Sequence, residues 1–189
     1  MTHTGPSGWT LEVTLDEQED RRATIWTKRA GGSEPANYTW SKASGGDYRV
    51  GGIAAFSGGI TSNPYVDVKG AGDIGFQTTT ATASSVTTTV VDTVVIDSVV
   101  AANGSGAITP PTGMTEIFDM ESNGWGEMSY VLQASIGATG AKVATLGGTD
   151  QSGTVLVVFK PAAAGGRTTR NTRAWPLGVE IGMGWRMPV

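Results

Sequence analysis

Residues 86–102 have the sequence VTTTVVDTVVIDSVVAA, in which Asp92 and Asp97 are the only charges. β-Branched side chains such as Val, Ile and Thr lose rotamer freedom in a helix and pack well on a pleated surface. The stretch therefore predicts β structure rather than helix. Residues 155–159, VLVVF, predict a second buried strand of the same kind.

Shorter stretches with strand character occupy residues 9–15, 24–28, 37–41 and 50–56. Turn-forming pairs separate the stretches: Gly31-Gly32, Gly58-Gly59, Asn63-Pro64, Asn103-Gly104, Pro110-Pro111 and Gly147-Gly148. The one helix candidate, residues 127–136, has the alternation of a strand instead. The sequence thus predicts an all-β chain, folded as a β-sandwich of the jelly-roll or immunoglobulin-like type.

Composition argues against several classes of function. The 189 residues contain no Cys, one His (His3, in a polar N-terminal stretch) and a net charge of −4. Without Cys there are no disulfides, thiolate nucleophiles or cysteine-based zinc sites, and His3 is poorly placed to act as a general base. A chain without a basic field is not expected to bind nucleic acid. We therefore predict a protein that is not an enzyme, with no catalytic, cofactor-binding or metal-binding residues.

The candidate motifs for chemistry are weak. The acidic residues Asp16, Glu17, Glu19 and Asp20 lack the spacing of a calcium loop and predict a solvated hairpin tip. Residues 70–75, GAGDIG, match a dinucleotide-binding pattern, but the QTTTAT that follows is not an amphipathic helix, so the match is rejected. No spacing among the other acidic residues selects a catalytic pair.

Targeting signals are also missing from the sequence pattern. Residues 1–8 are polar and have no charged stretch followed by an apolar core, so no secretory signal is expected. No run approaches the roughly 20 apolar residues of a membrane-spanning helix. We expect a chain that is made in the cytoplasm and has no membrane partner.

The sequence contains an internal repeat. PSGWT at residues 6–10 matches PTGMT at residues 111–115, an offset of 105. Aromatic strands centred on Trp26 and Tyr130 follow at an offset of 104, and Phe56 and Phe159 follow at 103. Three anchors in order predict a sandwich built from two pseudo-repeated halves. Strand-like residues 86–106 precede the second half and nothing comparable precedes Pro6, so the first half is expected to be short of strands.

The C-terminal part differs from the body, which we assign to residues 1–161. Residues 162–174 form a Gly/Arg linker that contains Arg167, Arg170 and Arg173. In residues 175–189 every second position is apolar, which is typical of a strand with one apolar face. The predicted partner-binding residues are the three arginines and Trp175, Leu177, Val179, Ile181, Met183 and Trp185.

Two interpretations of this strand-like C-terminal arm remain open. The arm is either the last strand of its own sandwich or an extension that lays its apolar face on a neighbouring subunit. Pro176 and Pro188 argue against a central strand, because each removes a backbone donor. The linker and the otherwise exposed apolar stripe favour the neighbouring subunit.

The tryptophans divide into two groups. Trp9, Trp26 and Trp40 alternate with polar residues and are predicted to lie in the core. Trp125 is flanked by Gly124 and Gly126, which predicts an exposed loop. An exposed Trp of this kind stacks on sugar rings in carbohydrate-binding modules, or fills a partner's pocket.

A series of turn and strand-start motifs resembles a known β-sandwich family. The motifs are PSGWT (6–10), EPANYTW (34–40), GGIAAF (51–56), TSNP (61–64), VTTTV (86–90), PPTGMT (110–115) and GATG (137–140). They resemble a family common in tailed-phage structural genes and in bacterial surface proteins, over residues 6–161. Members of that family usually carry one or two strands before the first such motif, so a strand-like tail could supply the missing strand, in its own subunit or in another.

The resemblance implies a non-enzymatic virion protein of a tailed phage, made in the host cytoplasm. Such a protein would be a capsid decoration or tail-surface subunit, bound to major capsid or tail proteins and to copies of itself. The alternative is a carbohydrate-binding module for host surface glycans, with Trp125 as the stacking platform.

Overall fold

The computed structural model describes residues 3–17, 21–42, 50–102, 105–122, 124–162 and 179–183. Strands and their connections make up this part of the chain, which confirms the all-β prediction. The strands are β1 (His3–Thr4), β2 (Thr10–Glu17), β3 (Arg21–Arg29), β4 (Ser41–Lys42), β5 (Ile53–Phe56), β6 (Val66–Ala83), β7 (Thr93–Ala101), β8 (Ile108–Thr109), β9 (Thr115–Glu121), β10 (Trp125–Gln133), β11 (Lys142–Phe159) and β12 (Val179–Met183).

The strands form two main antiparallel sheets. The larger sheet has the order β6-β11-β7-β10-β9, with β8 beside β11, and the smaller has the order β2-β3-β12-β5. β1 and β4 form a separate pair. Apolar side chains from both sheets meet in one core, including Val13, Ile25, Ala54, Ile96, Met128, Val157 and Phe159. The molecule is therefore a β-sandwich, as the sequence predicted.

Strand β7 is the centre of the larger sheet and is buried along nearly its whole length. Ile96 and Val100 contribute to the core between the sheets, while Val99 and Ala101 belong to a second apolar cluster. A strand covered on both faces reads as a continuous apolar run, which is why this stretch decided the fold class.

Two of the predicted strands were too long. Residues 86–92 are not part of β7, because Asp92 adopts a left-handed conformation (φ 55°) and ends the strand on its N-terminal side. Their backbone instead bonds the 135–139 loop, with Thr88 N–H donating to Gly137 O at 2.9 Å. Of residues 37–41, only Ser41 lies in a strand.

The two longest strands, β6 and β11, extend beyond the sandwich. Their paired halves near residues 80–83 and 142–146 are offset from the main ladder by register shifts. Ala81, Ala144 and Leu146 from these halves pack with Val99 and Ala101 of β7. The long β6–β11 pair thus covers the outer face of the larger sheet and creates a second buried layer.

The paired turns of the repeat have the same geometry. Trp9 N–H donates to Pro6 O at 3.2 Å, and Met114 N–H donates to Pro111 O at 3.0 Å. The glycines at the third turn position, Gly8 and Gly113, have φ of 84° and 82°. This is the type II turn, which requires a positive φ at that position.

A hairpin follows each of these turns. They are β2–β3 and β9–β10, and each contains one bulge, next to Leu11 in the first and at Met128/Ser129 in the second. Phe56 and Phe159 end corresponding strands and stack in the core with ring centroids 6.3 Å apart. The backbone thus follows the same path twice through these hairpins.

Candidate functional site

The segment most suited to a function in assembly is β12. It lies between β3 and β5 and is antiparallel to both. Ile181 is opposite Thr27 on one side and Ala54 on the other. We call the position between β3 and β5 the strand slot. Without β12, the slot would leave two strand edges unpaired in the middle of the smaller sheet.

The larger sheet contains the same arrangement. β7 lies between β10 and β11, and its Ile96 is opposite Tyr130 and Val157. Tyr130 and Val157 follow Thr27 and Ala54 by 103 residues each, so Ile181 takes the position of Ile96. The sequence repeat paired Tyr130 with Trp26, at an offset of 104. The strand register instead shows that Tyr130 corresponds to Thr27.

The equivalence extends to the end of the strand. Val179 is opposite Arg29 and Phe56, and Val94 is opposite Leu132 and Phe159, again an offset of 103 on both sides. β12 is therefore the counterpart of β7. The difference is one of chain order, since β7 precedes its hairpin and β12 follows every other strand.

The sequence-predicted arm is only partly covered by this description. Val179, Ile181 and Met183 belong to β12, in the sheet of their own chain. The remaining predicted partner-binding residues lie outside the described residues: Arg167, Arg170, Arg173, Trp175, Leu177 and Trp185. Of the two interpretations of the arm, the structure shows the first for residues 179–183.

The end of the body lies close to the strand slot. Pro161 forms a bridge with Gly59, and Ala162 N–H donates to Gly58 O at 2.7 Å. Gly58 is two residues beyond Phe56, which is opposite Val179. The chain therefore leaves the body beside the place where β12 begins.

A cleft of about 660 Å³ opens between the sheets at one side of the sandwich. It is lined by residues 53–57 and 115–117 together with Val94, Tyr130 and Leu132. β5 and β9 are the last strands of their sheets on this side within the described chain. Leu132 is 70% exposed and Ile53 is 44% exposed, so the cleft presents an apolar rim.

An aromatic cluster covers the outer face of the smaller sheet. The ring of Trp9 lies 5.0 Å from that of Tyr38 and 5.1 Å from that of Trp40. Trp26 and Trp9 are buried and Trp40 is half-buried. The prediction of buried core tryptophans is confirmed for Trp9 and Trp26, which lie outside the cluster between the sheets, and it is wrong for the half-buried Trp40.

The cluster has a charged side. Lys28 Nζ donates to Tyr38 Oη at 2.6 Å and lies 4.9 Å from the centre of its ring. Glu34 accepts hydrogen bonds from Lys28, Tyr38 and the backbone of Gly31. The bond from Lys28 holds the pKa of Glu34 below its usual value.

Trp125 is not in an exposed loop. It is the first residue of β10, opposite Ala101 and Glu121, and its half-buried ring packs against the second apolar cluster. The loop assignment from its glycine neighbours is therefore wrong. Gly126 serves packing, since a Cβ at this position would meet Val50 at 2.9 Å.

A buried pair of carboxyl groups lies in the second layer. Asp97 and Glu127 are both 0% exposed. Asp97 Oδ1 accepts a hydrogen bond from Thr154 at 2.8 Å, whereas neither oxygen of Glu127 has a partner within bonding distance.

Burial raises the pKa of Asp97 to about 7 and that of Glu127 to about 8, and the negative charge of Asp97 raises the pKa of Glu127 further. Sequence reasoning considered Asp97 and missed Glu127. With no exposed surface, neither carboxyl can touch a substrate in this conformation.

The remaining sequence motifs are explained by the sheets. The glycine-rich residues 70–75 lie inside β6, which continues to Ala83, so the prediction that no helix follows the motif is confirmed. Asp16 and Glu17 of the acidic run end β2, opposite Arg22 and Arg21 of β3, and Glu19 and Asp20 lie outside the described residues. In the described part of the chain, His, Cys, Asp and Glu side chains do not gather in groups of three that could hold a metal ion. That part also contains no helix long and apolar enough to span a membrane.

Comparison with family models, with curated proteins and with solved structures finds no match for this chain.

Proposed function

We propose that this protein is a non-enzymatic structural subunit of a tailed-phage virion, either a capsid decoration protein or a tail-surface protein. Its partners would be major capsid or tail proteins and further copies of itself. It would be made in the host cytoplasm and join the particle during assembly.

The observation that carries the proposal is the placement of β12. A short strand, reached through a long connection, completes a sheet that the preceding strands leave open between β3 and β5. Addition of a strand to an open position is a common way for proteins to bind a segment of a partner, since the main-chain hydrogen bonds supply affinity whatever the sequence. The resemblance of the motif series in residues 6–161 to phage structural proteins supports the same proposal.

The direct test is co-purification. Particles of the phage that encodes the chain are banded in a density gradient and probed with an antibody against the body. We expect the 19.5 kDa chain in the particle band at a fixed ratio to the major capsid protein. Recovery only in the soluble fraction at the top of the gradient would refute the proposal.

A second experiment tests the predicted binding residues. Purified chain is added to particles that lack it, and the bound amount is measured at saturation. Replacing Arg167, Arg170 and Arg173 by Gln is expected to lower occupancy severalfold without touching β12. Lys69→Gln, an exposed change on the body, is the matched control. Equal occupancy of the triple variant and the control would remove the arginines from the contact.

Glycan binding is the second proposal, and the outer aromatic cluster favours it. The half-buried rings of Tyr38 and Trp40 lie beside the charged groups of Lys28 and Glu34. Sugar sites commonly combine aromatic surface with a few polar groups. A glycan array probed with wild type, Trp40→Ala and Trp125→Ala separates the two platforms, and binding by none of the three proteins would refute the proposal.

A further inference from the structure

We propose that β12 is an exchangeable strand, and that the strand slot of one molecule accepts residues 179–183 from a second copy of this chain. The inference goes beyond a place in a virion and depends only on the strand slot and on the length of the connection to it.

The first argument is the backbone equivalence of β12 and β7. β12 aligns with its neighbours in the same register as β7 does, at two sheet edges and over four residues each. The strand slot is thus defined by the edges of β3 and β5. Those edges pair with the main chain of the inserted strand, and nothing in this pairing depends on which copy donates it.

The second argument is the length of the connection. Ala162 is bonded to Gly58, and Val179 is opposite Phe56, two residues away. The two ends are therefore no more than about 17 Å apart, because each strand spacing is about 5 Å and two extended residues span about 7 Å. The sixteen residues 163–178 can reach about 55 Å when extended. Closure within one chain needs roughly a third of that length, and the remainder is enough to reach a neighbouring molecule.

The third argument concerns concentration. A strand tethered by a connection of this length has an effective concentration on the order of millimolar at its own slot. In dilute solution the strand of the same chain therefore fills the slot, which is the state in this structure. Where copies are held side by side at similar local concentration, exchange competes, because both arrangements make the same contacts.

Cysteine cross-linking tests the exchange, since the chain has no Cys of its own. Ala55 is exposed on β5 and is the register partner of Glu180 on β12. One full-length chain carries Ala55→Cys, and another, with a tag of different mass, carries Glu180→Cys. The two are unfolded together, refolded at micromolar and at millimolar concentration, oxidised, and resolved without reductant.

We expect a disulfide-linked pair of the two chains whose ratio to the unlinked chains rises about in proportion to concentration, roughly a thousandfold between the micromolar and the millimolar sample. The double variant, with both cysteines in one chain, reports the register. It is expected to form an internal disulfide in dilute solution. The matched control pairs Glu180→Cys with Val143→Cys, which is 45% exposed on the far half of β11. This control is expected to give only the background of random collisions.

Each outcome decides the question. If the double variant closes internally and the mixed single variants link no more than the control at millimolar concentration, exchange is refuted. If the double variant forms no disulfide within or between chains, the register of β12 itself is refuted. Exchange without particle binding would support this inference and refute only the virion proposal. Particle binding without exchange would support the virion proposal and refute this inference.

Discussion

Replacing Glu127 by Gln should change how the stability of this protein depends on pH. The pKa of Glu127 is raised from 4.5 to about 8, chiefly by burial. Between these two values the folded chain holds a proton that the unfolded chain has released. The contribution of Glu127 to the free energy of unfolding is therefore fully present below pH 4.5 and is lost as the pH rises toward 8.

The size of the effect follows from the two pKa values. Each pH unit between them corresponds to about 1.4 kcal/mol, so ionisation of Glu127 costs on the order of 5 kcal/mol above pH 8. Gln is close in size and cannot ionise. We expect the variant to match wild type near pH 4 and to exceed its free energy of unfolding at pH 8 by a few kcal/mol. Asp97 leaves a residual slope below pH 7, because its pKa is raised in the same direction.

Urea unfolding followed by tryptophan fluorescence, at pH values from 4 to 9, measures this dependence. Glu121→Gln, at the exposed end of β9, is the matched control and should keep the wild-type profile. If Glu127→Gln loses stability between pH 5 and 8 as steeply as wild type, then the carboxyl is not the buried group that the structure places there.

Two further predictions concern glycines. Gly8→Ala and Gly113→Ala should each lower the free energy of unfolding by about 1–2 kcal/mol through backbone strain alone, because both residues have positive φ and no close neighbour. Chemical denaturation measures both losses, with Gly32→Ala as a control outside the left-handed region. Widely different losses at Gly8 and Gly113 would contradict the repeat. Gly126→Ala should lower the free energy of unfolding by about 1–3 kcal/mol through overpacking, because the new methyl group would meet Val50 at 2.9 Å. The double variant with Val50→Ala should lose less stability than the sum of the two single variants. Strictly additive losses would show that the contact does not exist.

The sequence predicted the parts of this fold that are set by local chemistry. The type II turns at Gly8 and Gly113 need glycine for a positive φ, so the matching motifs at residues 6–10 and 111–115 exposed the repeat. Alternation predicted the strands of the first hairpin and the acidic residues predicted its tip, but no strand was predicted over β9 (Thr115–Glu121) of the second hairpin. The strand ends were less accurate: residues 86–92 have strand-like composition but bond to a loop instead.

The buried carboxyl pair could not be predicted in the same way. Glu127 alternates with Met128 as a solvent-facing residue would in a sheet with one wet face. Its face is covered by the far half of the paired strands β6 and β11, which the register shifts of β11 carry across the sheet. The neighbours of β12 could not be predicted either. Alternation predicts a strand, but the strand pairs with β3 and β5, which lie more than 120 residues earlier in the sequence.

The order of strands in the smaller sheet has a consequence for synthesis on the ribosome. β5 is complete at Phe56, and β12 does not exist until Met183 has been added. At about 5–20 residues per second, the edges of β3 and β5 wait for a partner for roughly 6–25 seconds. All strands of the larger sheet are made within that interval. The larger sheet can therefore form before the smaller sheet has its last strand. If β12 is exchangeable as proposed, a finished neighbouring copy offers a strand of the correct register throughout this time, in competition with the β12 that the same chain has yet to complete.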